Sequence, residues 1–413
     1  MRKKIAFSFA LLLVFCVFAN AQVKSIKDLK PTVILISLDG FRHDYLDKFQ
    51  PKTLNELARR GVRAKWLIPS FPTKTFPNHY TIVTGLYPEH HGIIENNIFD
   101  FDAIFTLDKR PEVQNPRWWL GEPIWVTAEK QNQIAASYFF PGTETDHRDL
   151  RPTLFKEYNG KTPNALRVDK ILSWLDLPIE KRPTMLTLYF SDVDDAGHEF
   201  SPDAEETRYA VLEVDDNLKR LVDGLKTRKI FEQVNVIIVS DHGMATVDRN
   251  NSVFLDDIFD FDKTERILWT GEIVQIFPKA NEETYIIKAL QNQITHATCW
   301  LKSEIPERFH YRASPRIAPI VCSAEEGWVL TNRKRFGEWR ERDELRGLRG
   351  AHGYDNRLES MRATFIAHGA AFKKGALIEP FENIHIYNLM CKILGLTPAI
   401  NDGDFEKVKK IMK

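Results

Sequence analysis

Three β-branched apolar runs, each closing on acidic residues, restrict this chain more than any other feature. The first, TVILISL at Thr32 to Leu38, ends in Asp39-Gly40. The second, TMLTLYF at Thr184 to Phe190, runs into SDVDDAGH, and the third, VNVIIVS at Val234 to Ser240, ends in Asp241-His242-Gly243. Continuous apolar patterning predicts strands covered on both faces. Helical patterns separate the runs at Leu54 to Arg60, Asn164 to Leu175 and Ala204 to Lys226. That alternation predicts an α/β fold with a mostly parallel central sheet flanked by helices. Ligands of such sheets gather beyond the carboxyl ends of the strands, where all three runs deliver acidic residues.

The flanking segments set the organisation. Arg2, Lys3 and Lys4, the apolar run Ile5 to Phe18, and Ala19-Asn20-Ala21 read as a cleavable export signal over 1–21. The mature chain then has 413 − 21 = 392 residues, 22–413, and is expected in a periplasm or secreted. No later run is apolar for long enough to span a bilayer. Lys+Arg and Asp+Glu both number 57, which argues against a stable nucleic-acid complex. Residues from about 245 to 345 mix short strands, such as Glu272 to Phe277, with a helix near Glu282 to Thr295, and read as an inserted cap subdomain. The sheet pattern returns at Met361 to Gly369, and a last helix is predicted near Asn383 to Leu394. Three cysteines remain after cleavage: Cys299, Cys322 and Cys391. A Cys299–Cys322 bridge is possible in an exported protein, but a chain this large needs no staple, and free thiols are the favoured reading.

Metal-type residues collect at the strand ends: Asp39, Asp194, His198, Asp241 and His242, joined by His352 in the glycine-flanked loop RGAHGYDN. Mixed carboxylate and imidazole ligands suit zinc or a similar first-row metal. Asp194 and His198, four apart, can face one point from a single turn or loop. Taken singly, each has a plainer explanation as a turn, cap or solvated loop residue. Convergence at three parallel strand ends makes those explanations poor for the set. In FPTKTFPNHY, Phe71 to Tyr80, Thr75 precedes an expected helix with Pro77 as its first residue and Gly85 as its stop. A hydroxyl there faces unpaired backbone N–H groups and the positive end of a helix dipole, an environment that favours an anion.

The contiguous stretch FPTKTFPNHYTIVTGLYPEHHGIIENNIFD, with LDGFR, D-x-x-G-H, SDHGM and HGYDN, resembles the nucleotide pyrophosphatase/phosphodiesterase family of the alkaline phosphatase superfamily. The resemblance implies an alkaline-phosphatase-like fold and a catalytic domain over 22–413. It also implies two Zn2+ ions, one held by Asp39, Asp241 and His242 with the Thr75 oxygen, the other by Asp194, His198 and His352. No ligand role carries over to Asp192 or Asp195. Thr75 matches the nucleophile, forming a phospho-threonine intermediate that water then hydrolyses. Asn96, by its spacing from Thr75, matches the asparagine whose amide binds a nonbridging phosphate oxygen. His79, His90 and His91 lie in the family block without being ligands.

Substrate follows from the same resemblance. Phe76 and Tyr158, in LFKEYNGKTP, match the aromatics that sandwich a nucleobase, and Phe140, in YFFPG, can line the same pocket. Glu144 departs from relatives that carry aspartate, which leaves base preference open. The segment Asn96 to Gly121 keeps an insertion found in nucleotide-cleaving members. These matches imply release of nucleoside 5′-monophosphates from small nucleotides such as ATP, dinucleotides or nucleotide sugars. The alternatives are choline-phosphate or lysophospholipid diesters and, in another class, a non-catalytic metal-dependent nucleotide-binding protein.

Overall fold

The computed structural model describes residues 25–147, 149–342 and 344–413, so the expected signal at 1–21 lies outside the described residues. β1 (Val33–Leu38) leads through α1 (Lys52–Arg60) to β2 (Val62–Ala64) and α2 (Thr75–Thr84). β3 (Ala135–Tyr138), β4 (Leu154–Lys156) and α3 (Asn164–Leu175) precede β5 (Met185–Phe190). α4 (Asp192–Phe200) and α5 (Glu205–Thr227) return the chain to β6 (Asn235–Val239). β7 (Thr264–Trp269), β8 (Ile273–Pro278), α6 (Glu283–Gln293), β9 (Ala297–Leu301), β10 (Ile320–Ala324) and α7 (Arg333–Glu341) follow. β11 (Phe365–His368), β12 (Ala376–Ile378) and α8 (Ile386–Leu394) come last among the main elements.

The main sheet has the order β12-β2-β11-β6-β1-β5-β3-β4. β1 runs parallel to β5 and β6, β3 to β4 and β5, and β2 to β12; β11 alone is antiparallel to its neighbours. This is the α/β, mostly parallel sheet expected from the sequence. The central strands are wholly buried because successive residues serve opposite layers. Val33 and Leu35 pack with α2 and α8 residues, whereas Ile34, Ile36 and Leu38 pack with α3 and α5 residues. Burying each such aliphatic side chain contributes roughly 1.5–3 kcal/mol. The pairing sets Leu38 opposite Phe190 and Ser37 opposite Val239. The acidic residues after these three strands therefore emerge at one edge.

Two local readings need correction. α2 begins at Thr75 itself, with Lys74 as its extended N-cap, so Pro77 is the third helical residue rather than the first. Proline is tolerated there because the first four helical N–H groups lack intrahelical acceptors anyway. Gly85 does end the helix, at φ 69. The other correction concerns the cysteines. β7–β8–β10–β9 form a separate antiparallel sheet with its own apolar core around Val274, Ile286, Leu290 and Ile320. Cys299 and Cys322 face each other across β9 and β10 and form a disulfide, with Cα atoms 4.0 Å apart. Chain length argued for free thiols, but cross-strand pairing decided the outcome. Cys391 is a buried free thiol.

The bridge closes a separation of 23 residues. Replacing both partners, Cys299→Ala with Cys322→Ala, is expected to cost about 3 kcal/mol through the freed unfolded chain. A denaturant melt reads this directly, and an unchanged midpoint would contradict it.

Candidate active site

Asp39 follows β1, and Asp241 and His242 follow β6. Their ligand-type atoms lie within 4.8 Å of one another. His242 Nε2 is 3.0 Å from Asp241 Oδ2 and 3.5 Å from Asp39 Oδ1, and Thr75 Oγ1 is 3.3 Å from the same nitrogen. Each carboxylate is anchored through one oxygen. The Tyr189 hydroxyl donates to Asp39 Oδ2 at 2.5 Å, and the Gly40 N–H donates to Asp241 Oδ1 at 3.1 Å. Asp39 Oδ1 and Asp241 Oδ2 are buried with no hydrogen-bond partner among the described residues.

Asp194, His198 and His352 make the second group. Asp194 and His198 sit one helical turn apart on α4, which replaces the expected turn or loop. His352 arrives from elsewhere. The segment Arg349–Ala351 pairs antiparallel with Ala245–Val247, immediately after the SDHGM motif, and so delivers His352 beside His242. Their rings stack at 3.6 Å between centroids. Two glycines permit the close approach. A Cβ at Gly350 would lie 2.3 Å from the Gly197 carbonyl oxygen, and one at Gly40, φ +66, would lie 2.9 Å from the Asp194 Cα. His198 Nε2 is 3.5 Å from Asp194 Oδ2, and His352 Nε2 is 3.6 Å from Asp194 Oδ1.

The imidazoles are oriented as metal ligands. Nδ1 of His198, His242 and His352 lies 2.9, 2.8 and 2.8 Å from the carbonyl oxygens of Gly350, Gly243 and Thr73. A carbonyl accepts only, so each Nδ1 carries the proton and each Nε2 turns a lone pair inward. The Nε2 atoms of His198 and His352 are 3.0 Å apart. Two lone pairs at that distance, beside the partnerless Asp194 Oδ1, suit a cation between them. Protonation is opposed at His352, where burial first, then His242 and Lys74, holds the imidazole well below its usual range. Burial and neighbouring carboxylates push Asp39 well up, and Asp241 is raised to about 8 by burial and Asp194. The first group is thus a fully buried oxygen and nitrogen set, and the second pairs the buried His352 with a half-buried Asp194 and an exposed His198; both are of the kind that holds divalent metal ions.

A cavity of about 230 Å³ opens beside Thr75, walled by Phe76, Phe140 and Tyr158. Phe76 is half-buried against Phe105 and Trp119, and Tyr158 is 43 % exposed against Phe139. Phe140 is chiefly a core residue, 3 % exposed, that turns one edge to the cavity. Glu144 braces Tyr158 by accepting its backbone N–H at 2.8 Å and pairs with Arg110. Asn96 accepts the Phe76 N–H at 3.0 Å through Oδ1, so its amide Nδ2 remains to donate. Asp192 is held by Asn164 away from both groups, and Asp195 lines the aromatic cavity.

The sequence reading missed the supports. Tyr189 lies inside the second apolar run, and nothing in its pattern marks the bond to Asp39. His79, a family-block histidine without a ligand role, is fully buried; its Nδ1 meets the Thr75 carbonyl at 2.8 Å and its Nε2 the Ser37 hydroxyl at 2.7 Å, clamping α2 to β1. Lys74 pairs with Glu272 at 2.5 Å, tying the β7–β8 turn to the N-cap of α2.

A pH dependence follows. Burial pulls His79 and His91 to about 3, and His147 and His385 to about 4, against 6.5. Their stabilising contribution is complete above 6.5 and is lost on acidification. Asp241, raised from 3.8 to about 8, acts in the opposite sense: its contribution is present at low pH and lost as pH rises towards 8. Between pH 6.5 and 8 the carboxylate contribution dominates. Chelator-treated protein is therefore expected to melt at lower temperature at pH 8 than at pH 6.5, and zinc-loaded protein to lose that slope. Identical slopes in calorimetry would contradict the reading.

Residues 33–355 match the family model described as type I phosphodiesterase / nucleotide pyrophosphatase. The chain is 38% identical over 395 residues to a venom phosphodiesterase of Macrovipera lebetinus, covering 92% of this chain and 45% of that protein. It is 42% identical over 388 residues to an uncharacterised pyrophosphatase/phosphodiesterase of Schizosaccharomyces pombe, covering 91% of this chain and 79% of that one. Murine ectonucleotide pyrophosphatase / phosphodiesterase 5, solved as an inactive threonine-to-alanine variant in complex with AMP, superposes with a TM-score of 0.86 at 33% identity. That match covers 92% of this chain and all of that one. The fold is thus the alkaline-phosphatase-like one of these enzymes, although the chain spans less than half the length of the venom protein. With this match across its motif blocks, the chain belongs to the type I phosphodiesterase / nucleotide pyrophosphatase family.

Proposed function

We propose that the protein is a zinc-dependent phosphodiesterase that releases nucleoside 5′-monophosphates from small nucleotides through a covalent threonine intermediate. The observation that carries this reading is the Thr75 hydroxyl, at the first residue of α2 and 3.3 Å from His242 Nε2, beside the aromatic cavity. Asp39, Asp241 and His242 would hold one zinc ion, and Asp194, His198 and His352 the other. When bound, such ions supply Lewis-acid stabilisation of charge on attacking and leaving oxygens.

The chain's own groups then account for the rest. Thr75 Oγ1 gives its proton up to solvent and forms a bond to phosphorus, while the bond to the leaving oxygen breaks and that oxygen departs with the electron pair as an anion. The N-terminus of α2 favours the alkoxide and the anionic group it attacks. The Asn96 amide, fixed by its bond to the Phe76 N–H, donates to a nonbridging oxygen, an interaction of about 2.7–4 kcal/mol in comparable sites. A water oxygen then bonds to phosphorus, the bond to Thr75 Oγ1 breaks, one water proton restores the threonine hydroxyl, and the nucleoside monophosphate is freed.

Phe76 and Tyr158 would stack the base, contributing on the order of 1–3 kcal/mol. The Arg110–Glu144 pair gives the cavity a charged wall that suits a heteroaromatic base better than an acyl chain. Tyr158 and Phe140 fit this role unequally, because Phe140 is largely committed to the core. The relative solved with AMP supports a nucleotide rather than a choline-phosphate or lysophospholipid diester. The catalytic domain is read as 22–413 with a cap at about 245–345, exported through the signal at 1–21; among the described residues no helix is long and apolar enough to cross a membrane.

The test compares p-nitrophenyl thymidine 5′-monophosphate, p-nitrophenyl phosphate and p-nitrophenylphosphorylcholine on zinc-loaded protein. The thymidine diester is expected to turn over faster by two orders of magnitude or more. Thr75→Ala should abolish that turnover with zinc content unchanged, and Tyr158→Ala should lower kcat/KM about tenfold. Near-wild-type rates in Thr75→Ala, or preference for the choline ester, would overturn the reading.

A further inference from the structure

Residues 92–97, which carry Asn96, lie in no helix or strand. No ladder of backbone bonds therefore sets the direction of the Asn96 side chain, and side-chain anchors must do so. Tyr311, fully buried, donates its hydroxyl proton to the Ile94 carbonyl oxygen at 2.9 Å. Glu95 reaches further. Its carboxylate is 1 % exposed, beside the buried Ile93 and Ile94, and accepts the Asn96 N–H through Oε2. Its other oxygen, Oε1, lies 3.1 Å from the Thr270 hydroxyl in the β7–β8 turn.

A carboxylate is costly to bury unless it is paired and hydrogen-bonded. Burial pushes the Glu95 carboxyl above its usual range, and Lys74 leads the groups that draw it back, followed by the Asn96 N–H, the Thr270 hydroxyl and the Asn97 N–H. Lys74 is itself held by the turn: its Nζ donates to the Thr270 carbonyl oxygen at 3.2 Å and to Glu272 at 2.5 Å. Towards the reaction centre, Asn96 Oδ1 accepts the Phe76 N–H at 3.0 Å. Glu95 thus faces Lys74 while Asn96 bonds Phe76, so two consecutive residues of this segment address the two that flank Thr75. The Asn96 backbone is held from one end and its side chain from the other, which leaves Nδ2 a single direction in which to donate.

We infer that Glu95 is a positioning residue for the phosphate-binding amide: its carboxylate sets the Asn96 backbone so that Nδ2 is presented to phosphate, and it ties that aim to the β7–β8 turn of the second sheet. The inference rests on the proposed role of Asn96 and deepens it, since a preorganised donor stabilises developing charge only where its own support is fixed.

A double-mutant cycle tests it, because coupled residues lose less together than the product of their separate losses. On p-nitrophenyl thymidine 5′-monophosphate with zinc-loaded protein, Glu95→Ala is expected to lower kcat at least tenfold and to change KM less than twofold, with zinc content unchanged. Glu95→Gln, which keeps one acceptor oxygen for the Asn96 N–H, should recover part of the loss. In an Asn96→Ala background, either Glu95 substitution should cost less than twofold more. Equal losses in both backgrounds, or no loss in the first, overturn the inference while leaving the hydrolytic reading intact. Where Glu95→Ala does not fold, Glu95→Gln and Thr270→Val carry the same cycle with smaller losses. Calorimetric titration of AMP into the same zinc-loaded proteins keeps the test independent of turnover. If the wild type hydrolyses nothing yet Glu95 and Asn96 couple in AMP affinity, the positioning role stands and the hydrolytic reading falls. If their losses of affinity simply multiply, the positioning role falls, and if AMP does not bind, both fall.

Discussion

The structure turns on an electrostatic conflict that the protein part alone does not resolve. Asp39, Asp241 and Asp194 converge in a desolvated space, each with a buried oxygen that lacks a hydrogen-bond partner among the described residues. Three imidazoles aim Nε2 lone pairs into the same space, because backbone carbonyls take up every Nδ1. Unpaired buried carboxylates are costly, and partial protonation, as at Asp241, relieves the cost incompletely. Divalent cations held by the two groups, as proposed, would remove it in both at once. The surrounding fold can be understood as the frame that imposes the conflict and keeps it from relaxing.

That frame is rigid for ordinary reasons. β1, β5 and β6 are buried on both faces and locked in register, so the residues following them have little freedom to separate. Tyr189 and the Gly40 N–H take one oxygen each from Asp39 and Asp241, which turns the other oxygen inward. His79 and Ser37 fix the start of α2 to β1, and this sets where the Thr75 hydroxyl points. The Lys74–Glu272 pair then carries the constraint out to the β7–β8 turn, so that turn of the second sheet is tied to the start of α2.

Much of this was legible in the sequence, for identifiable reasons. Continuous β-branched runs marked the three central strands, and the acidic residues after each marked the edge where the site forms. Asn164–Leu175 was found to the residue because its apolar spacing is regular. Short strands such as Val62–Ala64 and Leu154–Lys156 were missed, since three residues carry no periodicity. Pro77 misled the reading of the helix start because proline fits any first-turn position, where an N–H would have no intrahelical acceptor. Tyr189, His79 and Lys74 were invisible because their roles depend on partners far away in sequence. The disulfide was misjudged for the same reason: only the strand register makes Cys299 and Cys322 neighbours.

The most direct test of the account is a crystal structure of zinc-loaded protein with anomalous scattering measured on both sides of the zinc edge. Two peaks are expected, one among Asp39, Asp241 and His242, the other among Asp194, His198 and His352, with Thr75 Oγ1 adjoining the first. A single peak, or zinc held by other residues while these six stay empty, would contradict the central claim.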